Sequence, residues 1–113
     1  MSSAPSLNSQ DIPPGSIAVI FTAQRTDKDE AGYQSAAQRM EELAVAQPGF
    51  VAVESVRGED GLGITVSYWK SDADAKAWRD NAEHAAIREQ GRARWYSTYT
   101  LYVARVERGY QWP

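Results

Sequence analysis

His84 is the only histidine in the chain, and no other side chain here has an ordinary pKa near neutrality. A lone imidazole can act as general base toward a phenolic substrate, or as a single ligand to iron. It can equally be a ring hydrogen-bonded to a backbone carbonyl beneath the last strand. Trp78 stands six residues earlier, and Trp69, Trp95 and Tyr96 complete a dense aromatic set. Walls of this kind suit a flat hydrophobic ligand, although aromatic side chains are also the main substance of any small core. Tyr68, Tyr99 and Tyr102 could donate hydrogen bonds into a pocket, and Arg92 and Arg94 could meet a carboxylate or simply solvate a loop. In one continuous helix, Asp80 and Arg88 would be the i−4 and i+4 neighbours of His84, one favouring the imidazolium and the other opposing it. The same helix would set Trp78 and His84 about 120° apart around its axis, too far to face one ligand unless it breaks near Asp80-Asn81.

Composition removes many alternatives. The 113 residues suit one domain. The absence of cysteine excludes a disulfide scaffold, a thiolate metal site and a cysteine nucleophile, and one histidine excludes a multi-histidine metal site within a single chain. Twelve Lys and Arg against fifteen Asp and Glu give a net charge of −3, with no general pull toward nucleic acid or anionic lipid. No apolar run approaches the ~20 residues of a membrane helix, and no secretory signal is visible, so a reducing cytoplasm is the default expectation. Gly58 to Gly63 is glycine-rich but lies between strands, with no helix N-terminus to receive a phosphate.

The elements that must position these residues follow from periodicity. Residues 1–15 hold four serines and three prolines and read as a flexible arm, leaving 16–113 as a single folded domain. Ser16 to Arg25 reads as a strand buried on both faces. Asp29 is an N-cap, and Tyr33, Ala36, Ala37, Met40, Leu43 and Ala44 trace one face of a helix that Pro48-Gly49 ends. Phe50 to Arg57 and Leu62 to Trp69 form a hairpin around Asp60-Gly61. Ser71 and Asp74 make a capping box for a second helix that fades near Gly91, and Trp95 to Arg108 is a long last strand. The order β-α-β-β-α-β is the ferredoxin-like signature, an α+β fold with both helices on one face of a four-stranded antiparallel sheet. Neither side of the strands is strongly polar: Val19, Phe21, Ile64, Val66 and Val103 share one parity, with Ala18, Ile20, Val51, Val53 and Tyr102 near the other. The uncovered face then calls for a second copy of the chain, so a homodimer is expected.

Gln47-Pro-Gly-Phe50, the run Gly63 to Trp69, Ala77-Trp78, Glu83-His84, Gly91-Arg92 and Trp95-Tyr96 together resemble the antibiotic biosynthesis monooxygenase superfamily. The resemblance implies a dimeric α+β barrel with a pocket in each subunit between sheet and helices. It also implies a small monooxygenase that adds O2 to a hydrophobic, polyketide-like aromatic substrate without metal or flavin. His84 would then be catalytic, with Trp78, Gln24, Trp69 and Tyr96 around the substrate. Other members are haem-degrading, with a helix histidine on iron and an asparagine and a tryptophan completing the site. By that resemblance His84 would be the axial ligand, Trp78 the tryptophan, and Gln24 would stand for the asparagine. A third alternative is a ligand-binding dimer without catalysis.

Overall fold

β-branched and aromatic residues fill Ile17–Arg25, and this strand, β1, is the centre of the sheet in the computed structural model, which describes residues 11–113. It lies between β3 (Leu62–Trp69) and β4 (Tyr96–Arg105), with β2 (Phe50–Arg57) outside β3, and every pair is antiparallel. α1 (Glu30–Val45), α2 (Asp72–Arg79) and α3 (Ala82–Gln90) complete an α+β, ferredoxin-like order of β-α-β-β-α-α-β. Of the expected arm, residues 1–10 lie outside the described residues. Its last residues are tied to the segment just after β4, because Gly15 N–H donates to the Val106 carbonyl at 2.8 Å.

Local chemistry explains the element ends. Asp29 caps α1 in the left-handed region and accepts from Gly32 N–H, and Ser71 caps α2 by accepting from Asp74 N–H while donating back to its carboxylate. Gly49 has φ +81°, and a Cβ there would stand 2.1 Å from the Asp74 carboxylate, so only glycine allows α2 to approach this turn.

Two elements differ from the expectation. The helix from Ser71 to Gly91 is two helices, because Asn81 adopts an extended ψ of 127° and its side chain caps a new helix at Ala82. The last strand begins at Tyr96 and ends at Arg105. Gly91–Trp95 is instead a single π-helical turn whose Trp95 carbonyl accepts from Thr26 N–H and from Arg25. β1, too, is fully buried only toward its ends; Val19 to Thr22 are half-buried.

Register, and not parity within each strand, decides the faces. Residues directly opposite in an antiparallel pair share a face. Ile20 lies opposite Val66, and Thr22 opposite Ile64, so Ile64 and Val66 belong to the side of Ala18 and Ile20 and not to that of Val19. An irregularity between Phe50 and Ala52 likewise moves Val53 opposite Ser67, onto the side of Val19. The core is built on that side from Ile17, Ala44, Trp69, Ala75 and Trp78, with Val19, Met40, Leu43 and Phe50 packed against it. The opposite face leaves Val56, Leu62, Ile64 and Tyr102 exposed. Among the described residues no helix is long and apolar enough to cross a membrane.

Candidate functional site

The helix side of β1 connects two different ends of the molecule. At the Ile17 end, three rings form a column. Trp69 is completely buried, and its indole N–H donates to Ser67 Oγ at 3.0 Å. Trp78 stacks on Trp69 with ring centroids 5.7 Å apart and planes 24° apart. His84 stacks on the other side of Trp78 at 4.1 Å and 25°. The break at Asp80-Asn81 makes this column, by folding α3 back so that His84 covers the tryptophan six residues before it. The 120° separation of a continuous helix is therefore overturned. Asp80 bonds Arg79 instead of the imidazole.

His84 is held by two contacts. Its backbone N–H donates to Asn81 Oδ1 at 3.0 Å, and its ring Nδ1 lies 2.8 Å from the Trp78 carbonyl oxygen. A carbonyl can only accept, so Nδ1 carries the proton. Nε2 is then the lone-pair nitrogen of the neutral ring, and it has no hydrogen-bond partner among the described residues. Burial pushes the His84 pKa below its ordinary value; the Trp78 carbonyl opposes this and the charge of Arg88 adds to it. A half-buried neutral imidazole with one anchored and one open nitrogen can take a proton or bind a metal.

At the Arg25 end, by contrast, polar groups satisfy one another. The Arg25 guanidinium is buried, donates at 2.7 Å to both the Trp95 carbonyl and Glu30, and lies over the Tyr33 ring at 4.1 Å. Arg57 donates to the Tyr33 hydroxyl and to the Gly61 carbonyl. A cleft of about 320 Å³ opens between this cluster and the β2–β3 hairpin, lined among others by Asp27, Glu30, Arg57 and Glu59. Its rim is polar and charged, unlike a pocket for a flat apolar ligand.

The two ends divide the expected site residues. Trp69, Trp78 and His84 come together. Gln24 belongs to the hairpin end, where its amide donates to the Asp60 carbonyl at 2.7 Å. Seven residues of strand separate it from Ile17, about 23 Å. Tyr96 packs edge-on against Phe21 and Tyr33. Burial, reinforced by Tyr33, raises its pKa well above the ordinary value, so it remains a neutral hydroxyl. Between the two ends, Leu101 and Val103 lie opposite Phe21 and Val19 on the helix side, yet they are 50% and 56% exposed. They form an apolar strip that the helices leave open. Asn81, three residues before His84, carries a capping signal that its place at the helix break alone does not reveal. The Arg25–Tyr33–Arg57 cluster has no local signal, because its members are distant in sequence.

The model of the antibiotic biosynthesis monooxygenase family matches residues 16–90. The chain belongs to this family. Its relatives include the uncharacterized protein YqjZ of Bacillus subtilis (strain 168), 50% identical over 91 residues, which cover 80% of this chain and 79% of that one. Among solved structures, the fold is similar to SnoaB, a cofactor-independent oxygenase from Streptomyces nogalater, with a TM-score of 0.71 and 15% identity over 84% of this chain and 96% of SnoaB. A conserved protein of Methanosarcina mazei Go1 is similar at a TM-score of 0.73, with 10% identity over 81% of this chain and 93% of that one. At these identities the solved structures establish the fold alone.

Within this monooxygenase fold, the haem-degrading residue set does not converge. His84 Nε2 could ligate iron, but Gln24 is bonded at the opposite end of β1, and Trp78 lies flat on the imidazole. No group of three or more His, Asp or Glu side chains that could hold a metal exists among the described residues.

Proposed function

We propose that this family member is a small monooxygenase that oxidises a hydrophobic aromatic phenol with O2, using no metal or flavin. The observation that carries the reading is the open Nε2 of a neutral His84 whose other nitrogen is anchored to the Trp78 carbonyl. Nε2 takes the phenolic proton, and the resulting phenolate is the electron-rich species that reduces O2. The substrate itself supplies the electrons: a ring C–H becomes a carbonyl, one oxygen atom enters the product, and the other leaves as water. Trp78 backs the base, and the strip of Phe21, Leu101 and Val103 offers the apolar floor. Trp69 supports the tryptophan from below, and Tyr96 bounds the far end of the helix side, whereas Gln24, opposite Leu62 on the other face, takes no part.

The working form is a cytoplasmic homodimer in which the exposed Val56, Leu62, Ile64 and Tyr102 face is covered by a second copy. Sedimentation at micromolar concentration should give about twice 12.5 kDa; a stable monomer removes the barrel from the reading. Oxygen uptake with a panel of polycyclic phenols tests the chemistry. Uptake that produces a quinone and falls about 100-fold in His84→Gln supports it. Phenol binding without uptake makes the chain a ligand-binding dimer. A tight hemin complex with a sharp Soret band that His84→Ala abolishes replaces this reading with haem binding.

A further inference from the structure

We propose that Asn81 is a positioning residue, whose side chain starts α3 in the direction that lays His84 on Trp78 and so commits the imidazole to the Nδ1–H tautomer, with Nε2 outward. The inference rests on His84 as the base and deepens that reading by naming what aims it.

Three contacts build the device. Asn81 has φ −58° and ψ 127°, outside the helical region, and its Oδ1 accepts the His84 N–H at 3.0 Å. In an unbroken helix the Trp78 carbonyl would accept from the N–H of Ala82 and lie within the backbone ladder. Here it accepts instead from Asn81 N–H at 3.2 Å and from His84 Nδ1 at 2.8 Å. A carbonyl has two acceptor lone pairs, and the interruption lets a side chain use one. From the outer side, Arg88 Nη1 donates to the Arg79 carbonyl at 3.3 Å, tying α3 back to the end of α2. The imidazole is thus fixed in plane by the tryptophan face and in rotation by the carbonyl. A neutral imidazole in water favours the opposite tautomer, with the proton on Nε2, which would turn a donor instead of an acceptor toward a phenol. The break therefore decides whether His84 can be a base at all.

The single histidine makes this measurable, because protein labelled with ¹⁵N in histidine yields one pair of ring nitrogens. At pH 8 the wild-type spectrum should place the proton on Nδ1. Asn81→Gly removes the acceptor while keeping a residue that helix N-termini tolerate. In N81G the tautomer population should move toward Nε2–H, and phenol-dependent oxygen uptake should fall about tenfold in kcat with KM little changed. Asn81→Ser, which restores a capping oxygen, should recover both. A wild-type proton on Nε2, or a folded N81G with the wild-type tautomer, overturns the inference. A wild-type Nδ1–H signal that N81G erases upholds it even where no phenol supports uptake, and that absence of uptake instead removes the catalytic reading.

Discussion

The two ends of β1 carry comparable amounts of aromatic and polar side chain, yet only one is chemically open. Around Arg25, the two guanidinium groups are engaged: Arg25 donates to the Trp95 carbonyl and Glu30, and Arg57 to the Tyr33 hydroxyl and the Gly61 carbonyl. Around Ile17, the column of Trp69, Trp78 and His84 ends in a nitrogen with no partner among the described residues. The Arg25 end has the more obvious cleft and the more dramatic charges, but its arginines are already committed to protein acceptors. In the proposed reading, unspent hydrogen-bonding capacity, rather than charge or hollow volume, marks the site.

The sharpest way to break this contrast is to remove the base of the ring column. Trp69→Ala should cost about 3–5 kcal/mol, because it leaves a cavity under Trp78 at the centre of the core. Urea unfolding checks this, and a loss below about 1 kcal/mol would mean the column is not the keystone of that end. At the other end, Arg25→Met should cost about 1 kcal/mol, since it removes the buried bond to the Trp95 carbonyl and the contact with the Tyr33 ring, while that carbonyl keeps the Thr26 N–H and exposed Glu30 keeps Gln34. The two ends separate in function: Arg25→Met should leave phenol affinity unchanged, and a weakened affinity would assign the substrate to the hairpin cleft.

A subtler test uses pH. His84 has a folded pKa below its ordinary 6.5, so the unfolded chain takes up the proton first as pH falls. The associated stability is fully present above 6.5 and is lost as pH drops through 6.5 toward the lowered folded value. Titration of the imidazole by NMR should show the depressed midpoint, and the stability slope in that window should vanish in His84→Gln. Replacing Gln24 with alanine should do least, changing stability by about 0.5 kcal/mol, because its bond to the Asp60 carbonyl is exposed. Phenol-dependent uptake in Gln24→Ala should be near wild type; a large loss would bring the two ends of β1 into one site.

Element type, order and most boundaries were legible in the residues because they are local properties. Asp29, Ser71 and Asp74 cap helices through hydrogen bonds spanning three positions, and Pro48-Gly49 and Asp60-Gly61 act through backbone angles of one or two residues. The α+β order and the family resemblance followed from those signals, as did the exclusion of thiolate chemistry. What needed the tertiary structure was every relation between distant segments. Sheet register put Ile64 and Val66 on the face opposite to Val19, which alternation within a strand cannot reveal. The length of β1 separated Gln24 from His84, although both are polar residues of types a site could use. Above all, the ring column depended on a single ψ angle at Asn81. The Asn81 cap sets α3 off in the direction the column needs, and the stacking of Trp78 between Trp69 and His84 holds it there, a contact that exists only once the chain has folded.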